Sequence, residues 1–294
     1  ACINGTSALQ LAVKLAGVNL DDEVIAPTMT FVATINAIKY NNASPVFMDC
    51  DEYFNIDHHK VIKFLDKNTY FSKGSTYNKK TKKRIRAIII AHIWGNPSNI
   101  IDLVKLCKKK GIFVIEDAAE SMGSIYNHKK KHTGTIGDIG VISFNGNKLI
   151  TSGCGGAILT QNKEIADKAK YLSEQAKENT FDYIHDNVGY NFRLSNLNAA
   201  VGVAQLEKIN IKLKKKKFIN RYYKQNIKNK FFYISNSPDY SKNNFWINVL
   251  QFDNKKISRK KLIKKFYDKG IEVRPIWYPI HLLKTFKKYQ KFEI

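Results

Sequence analysis

The chain reads as an α/β protein: a mostly parallel, doubly wound sheet followed by a small C-terminal α+β domain. Three observations predict this. Short apolar, β-branched runs alternate with amphipathic helical patterns through the first half. At 294 residues the chain is long enough for one large domain and a smaller one. Beyond Ser237-Pro238 the texture changes to two short apolar runs flanking a helical stretch.

In order, the expected strands are 23–26, 45–48, 86–92, 112–116, 141–144 and 156–160, and the expected helices 6–17, 31–41, 56–66, 100–110 and 163–174. Residues 68–84 read as a polar insertion. A long helical pattern runs over 195–228, strands at 245–252 and 270–275 flank a helix at 258–269, and the chain stops in a basic helical stretch. The division follows as a large domain over 1–230 and a small one over 231–294. Sheets of this kind bind ligands beyond the carboxyl ends of their strands.

Composition narrows the function. The net charge is +24, but 43 of the 49 basic residues are Lys and only six are Arg. The Lys runs (Lys212, Lys214 to Lys217, and 79–84) sit on a helical surface or in the insertion, without interleaved aromatics. Phosphate-reading proteins favour Arg forks and stacking platforms, so a solvated surface is expected, not a nucleic-acid footprint. No run approaches the ~20 apolar residues of a membrane span, and Ala1 to Gln10 do not read as a signal peptide, so a cytoplasmic protein is expected. Cys2, Cys50, Cys107 and Cys154 show neither a CxxC pair nor metal-ligand spacing; free thiols and no metal are expected.

Four segments carry candidate chemistry. Asn4-Gly5-Thr6-Ser7-Ala8 opens a helix with hydroxyls and unbonded amides suited to a phosphate, although Thr6 and Ser7 are equally good helix caps. Phe113 to Glu120 is an apolar strand ending in carboxylates, and Asp117 at its end needs a partner to keep its charge; a first-turn helix acid is the plainer alternative. Ser143-Phe144-Asn145-Gly146-Asn147-Lys148 leads into Thr151 to Gly156, and Lys148 is the one charged residue between Ile139 and Leu159. An amine held in an uncharged, Gly-rich loop suits covalent work on a carbonyl, and Ser143 lies within reach of a phosphate. Val188 to Ser195 contributes Asn191 and Arg193 as polar anchors ahead of the long helix.

The ordered set NGTSA, TFVAT, EDAAE, SFNGNK and GYNFR resembles the DegT/DnrJ/StrS-type sugar-nucleotide aminotransferases, and the resemblance runs from Asn4 to His281. It implies the aspartate-aminotransferase-like fold (fold type I), pyridoxal 5'-phosphate as cofactor, glutamate as amino donor, a nucleotide-linked keto sugar as acceptor, and a homodimer with shared active sites. It implies that Lys148 carries the cofactor, that Asp117 pairs with its ring nitrogen, and that Glu120 lies near its phenolic oxygen. Phe31 and Ala119 then lie against the two ring faces. Thr6, Ser7 and Ser143 take the phosphate, with Asn191 or Arg193 reaching in from a second subunit. His92, Arg274 and His281 fall to the substrate, Arg274 as a cation for its diphosphate. Lys148 speaks against the family's dehydratases, which carry His there; an idle scaffold is the alternative of another class. Family members usually start before the NGT motif and run past this C-terminus, so both ends are expected to lie outside this sequence. Cys154 stands where many members have Glu. Within the family the chain looks most like the legionaminic-acid and bacillosamine-type C4 aminotransferases, through 77–81, Glu116 to Ser124, Ser143 to Ile150, and the Arg274-Pro275-Ile276-Trp277 run with His281. That implies a 4-keto-6-deoxy-N-acetylhexosamine as acceptor, with a perosamine-synthase-type substrate as the alternative.

Overall fold

The computed structural model of the protein describes residues 1–127, 130–179, 181–252 and 257–294. Its centre is a nine-stranded sheet. We number its strands β1 (Glu23–Pro27), β2 (Ser44–Met48), β3 (Thr69–Ser72), β4 (Ser75–Asn78), β5 (Arg84–Ala91), β6 (Phe113–Asp117), β7 (Ile139–Ser143), β8 (Gly156–Leu159) and β9 (Lys291–Phe292). The path is β8-β7-β6-β5-β1-β2-β9. From β7 to β9 the neighbours pair in parallel, and β8 closes one edge antiparallel to β7.

The runs are apolar on both faces because both faces are covered. Alternation sorts them. Val24, Ala26, Ala87, Ile89, Ile115 and Val141 face one core with helices α1 (Gly5–Leu15) and α2 (Val32–Tyr40). Ile25, Ile88, Ile90 and Val114 face the other, with α3 (His58–Lys67) and α4 (Ile101–Lys109). Side-chain caps from Asn4 and Asp57 start α1 and α3. The chain lays β2 on one side of β1, then crosses to lay β5 on the other. That reversal opens a crevice beyond the carboxyl ends of β1 and β5, with β6 and β7 beside it.

Four expectations are corrected. The polar insertion is a hairpin: β3 and β4 pair antiparallel, β4 adds to the start of β5, and Lys73-Gly74 turn with positive φ at both residues. Its stacked Tyr70–Tyr77 pair, 5.5 Å apart, supplies what its polar composition hides. The long helix is two, α6 (Asn196–Glu207) and α7 (Ile209–Asn226), parting at Lys208; α5 (Lys163–Ser173) precedes them. Of the two late strands, only Leu250–Phe252 forms, pairing with Phe232–Ile234 beside α8 (Arg259–Tyr267); Phe245 turns the chain at φ +52, and 270–275 gain no ladder partner among the described residues. The basic C-terminal stretch is not helical. After a 3-10 turn at Ile280–Leu282, Phe286 enters the main core and Lys291–Phe292 pairs with β2. Ile280, Leu283 and Phe286 mimic a helical period because they dock one after another on the covered face of the sheet.

Among the described residues no helix is long and apolar enough to cross a membrane.

Candidate active site

The crevice is a cavity of about 1340 Å³. The carboxyl ends of β5, β6 and β7 and the start of α1 form its floor. Its other walls come from α7, α8 and the segments 246–252 and 271–277.

Alternation at the end of β6 sends two adjacent carboxylates opposite ways. Glu116 is fully buried and accepts from His92 Nε2 (2.8 Å) and from the backbone N–H groups of Gly134 (2.8 Å), Ile136 (2.6 Å) and Gly137 (2.6 Å). Burial alone would raise its carboxyl; the bonds from His92, Gly137 and Gly134 hold it below the usual carboxylate value. Asp117 turns to the cavity. Its Oδ2 accepts from Thr34 Oγ1 at 2.7 Å and its Oδ1 from the Ala119 N–H at 3.2 Å, while Thr34 bonds Thr30 at 2.9 Å. Asp117 is buried and has no ion-pair partner among the described residues.

Lys148 stands in the turn after β7, its amide bonded to the Asn145 carbonyl at 3.0 Å. Nζ lies 3.5 Å from Glu120 Oε1, with only 14% and 9% of the two side chains exposed. Burial pushes the Glu120 carboxyl up to about 7, against the opposing pull of Lys148 and of the Trp94 N–H, which donates to Oε2 at 2.9 Å. Lys148 Nζ also lies 4.1 Å from the centre of the Trp246 ring.

The opposite end of the floor is the start of α1. Asn4 Oδ1 caps the Ser7 N–H at 2.7 Å, and the amides of Gly5 and Thr6 precede the first intrahelical bond, Ala8 N–H to Asn4 carbonyl. Gly5 passes so near Ser143 that an added Cβ would sit 2.9 Å from the serine Cβ. Thr6 and Ser143 line the cavity; Ser7 is buried and is not in the lining.

The floor therefore brings together an amine, a buried carboxylate without a cation among the described residues, and hydroxyls at a helix N-terminus. These are the complements of an aldehyde, a protonated pyridine nitrogen and a phosphate monoester, so the residues present fit pyridoxal phosphate.

The other expected residues divide. Phe31, Ala119 and Glu120 line the cavity, Phe31 half exposed at its mouth and 6.0 Å from Trp277. His92 lines it as well, but both ring nitrogens are engaged inside the protein: Nδ1 accepts from the Ser98 N–H at 3.1 Å, leaving Nε2–H for Glu116. That arrangement leaves neither nitrogen for a substrate. His281 is buried against Thr28 Oγ1, outside the lining. Arg274 lines the cavity with an exposed guanidinium bonded to Glu272 Oε1 (2.5 and 3.1 Å). Asn191 and Arg193 are not in the lining; Arg193 instead borders a separate cavity with Cys2 and Lys170.

Sequence reasoning missed Trp94 and Trp246 and named Trp277 only as part of the 274–277 run. All three of the chain, Trp94, Trp246 and Trp277, line this one cavity. Trp94 sits at φ +52 just past β5, its ring 5.0 Å from Phe54 and 5.6 Å from Trp277. Its place at a strand's carboxyl end, followed by Gly95, was the available signal. Trp246 had none nearby in sequence.

Comparison with known proteins agrees with this chemistry. Residues 1–293 match the model of the DegT/DnrJ/EryC1/StrS aminotransferase family. The chain is 37% identical over 292 residues to a GDP-perosamine synthase of Escherichia coli O157:H7, covering 99% of this chain and 75% of that protein. It is 31% identical over 294 residues to the UDP-4-amino-4,6-dideoxy-N-acetyl-beta-L-altrosamine transaminase of Campylobacter jejuni serotype O:23/36, covering 98% and 74%. Among solved structures, a DegT DnrJ EryC1 StrS aminotransferase from Brucella abortus superposes with a TM-score of 0.88 at 25% identity, over 99% of this chain and 74% of that one.

Proposed function

The chain belongs to the DegT/DnrJ/EryC1/StrS family of pyridoxal-phosphate-dependent sugar-nucleotide aminotransferases, and from that premise we propose that Lys148 is its cofactor lysine and C4 of a nucleotide-linked 4-keto-6-deoxyhexose its target. The observation that carries this is the pairing of Lys148 with Glu120 on the same cavity floor as a buried Asp117 that has no cation of its own among the described residues.

Bound pyridoxal phosphate supplies an electron sink for the carbon that gives up its proton. The protein's own groups do the rest. Asp117, steadied by Thr34 and the Ala119 amide, holds positive charge on the ring nitrogen. Thr6, Ser143 and the first-turn amides of α1 take the phosphate, with Ser7 buried in that turn. Ala119 and the buried Trp94 would bound the ring, with Phe31 toward the mouth. Lys148 would hold the cofactor and, with its amine free, would move the proton at the substrate carbon. Glu120, pushed up to about 7, holds or returns a proton to Lys148 at neutral pH.

The acceptor sugar is of the perosamine type. Identity is higher to the GDP-perosamine synthase (37%) than to the UDP-linked acetamido-sugar transaminase (31%). One feature that favoured the acetamido sugar, the 77–81 stretch, belongs to the β4 hairpin and does not line the cavity. Arg274 exchanges its Glu272 partner for the substrate diphosphate. Arg274→Ala is therefore expected to raise the KM for the sugar nucleotide about tenfold, the scale of one charge-assisted contact, and to leave the glutamate half-reaction unchanged. Stopped-flow runs of the two half-reactions with GDP-4-keto-6-deoxymannose and with a UDP-linked 4-keto-6-deoxy-N-acetylhexosamine test both points. Turnover of the acetamido sugar alone would restore that reading; equal damage to both halves would remove Arg274 from the diphosphate.

The working form is a dimer. Helix α6 buries none of its residues, and Leu197, Val201, Val203 and Leu206 stand exposed on it. A second copy over this apolar face accounts for them and gives Asn191 and Arg193 a site in the neighbour. Sedimentation of the holoenzyme should give twice the chain mass; a monomer with full activity would exclude shared sites.

A further inference from the structure

Residues 243–246 form a strap that crosses the catalytic floor. Asn244 Nδ2 donates to the carbonyls of Glu120 (2.8 Å) and Met122 (2.9 Å), and its backbone N–H to Ser124 Oγ (2.9 Å), all in the loop after β6. Two residues on, the Trp246 indole N–H donates to the Asn147 carbonyl at 2.7 Å, in the loop after β7. The strap thus joins the loop carrying Glu120 to the loop carrying Lys148. It lies close to the floor: a Cβ on Gly95 would fall 1.9 Å from Asn244 Oδ1. Trp246 itself is buried, and its ring faces Lys148 Nζ from 4.1 Å.

We propose that Trp246 is the positioning residue of Lys148, holding the free amine over the indole face and against Glu120 whenever Lys148 is not joined to the cofactor. The proposal rests on Lys148 being the cofactor lysine. A free lysine has four rotatable bonds and a strongly hydrated head. Among the described residues two groups constrain the amine, a carboxylate 3.5 Å away and the ring. The ring offers attraction without a full counter-charge, so it keeps the amine in place without locking it into a tight ion pair. The indole N–H, fixed on Asn147, sets the plane of the ring.

A neighbouring lysine provides an internal control. Lys216 lines the same cavity and donates Nζ to the Trp246 backbone carbonyl at 2.9 Å, a bond that side-chain replacement leaves in place. The test is acetylation by succinimidyl acetate of the protein loaded with pyridoxamine phosphate, in which Lys148 is free, with rates read lysine by lysine by peptide mapping. In Trp246→Leu, Lys148 is expected to react about fivefold faster or more, the scale of a partly desolvated cation–π contact, with Lys216 unchanged. Trp246→Phe, which keeps a ring face, should stay within about twofold of the parent. Trp246→Met serves in place of Trp246→Leu if that variant does not fold. Equal Lys148 rates in the aliphatic variant and the parent overturn the proposal. So does a parallel rise at Lys148 and Lys216, which would mean that Trp246 merely holds the strap together. Borohydride mapping of the cofactor onto a different lysine would instead remove the underlying assignment of Lys148, a separable result.

Discussion

Lys148→Ala is expected to abolish transamination, lowering turnover at least ~10³-fold, while the protein still folds and binds its cofactor noncovalently. The fold survives because Lys148 projects into the cavity and its contacts are to Glu120 and the Trp246 ring, not to the apolar cores. Activity does not, because on the proposed assignment one amine serves both as the covalent anchor and as the proton carrier. The informative competitor is Lys216. It lines the same cavity, and burial lowers its amine below the usual lysine value, as expected of a nucleophilic lysine. Its geometry argues against it: Nζ is committed to a backbone carbonyl and has no carboxylate partner among the described residues, whereas Lys148 faces Glu120. Borohydride reduction followed by peptide mapping decides. Cofactor fixed on Lys148 in the parent, and on no lysine in the variant, is the expected result; a label on Lys216 would transfer the role to it.

The same contrast shows what was legible in the sequence. That Asp117 and Lys148 come to one cavity was readable because Asp117 ends one apolar run and Lys148 follows another after three uncharged residues, and a doubly wound sheet brings the ends of such runs to one edge. The parallel strands were readable because burial on both faces leaves uninterrupted Val/Ile runs. Glu116 and Asp117 look alike in sequence, yet the two-residue period of β6 sends one to a buried His and the other to the cavity. His92 and His281 were expected at the substrate from the family resemblance, but each is engaged by a buried partner. The β3–β4 hairpin was hidden by polar residues, since its stability lies in cross-strand pairs, which no local window displays. The strap was hidden by distance: Asn244 and the Glu120 carbonyl that it holds are 124 residues apart. Contacts of that range are set by how the chain returns to the floor, and no local pattern records it.

Asp117→Asn is expected to cut turnover about 100-fold while leaving cofactor occupancy and thermal stability close to those of the parent, since a buried charge-assisted bond is worth ~1.5 to 3 kcal/mol. The amide matches the carboxylate in size, so the packing at the end of β6 is kept. Its oxygen still accepts one of the two bonds that Asp117 now accepts, from Thr34 Oγ1 or from the Ala119 N–H. The loss is specific to charge. A neutral amide does not hold a proton on the ring nitrogen, and without that positive charge the carbon acid must ionise with a weaker electron sink. The proposed phosphate site at the start of α1 and the proposed Lys148 linkage use other lining residues, so affinity for the cofactor is expected to change little. Thr34→Val gives the graded comparison. It removes the hydroxyl between Thr30 and Asp117 but keeps the charge, and should cost turnover less than tenfold, the scale of one side-chain bond. Absorbance measures occupancy, thermal unfolding measures the fold, and single-turnover decay of the glutamate half-reaction measures the step itself. Near-normal turnover in Asp117→Asn would remove the residue from the cofactor. Lost occupancy with unchanged turnover per bound cofactor would reduce it to a binding group.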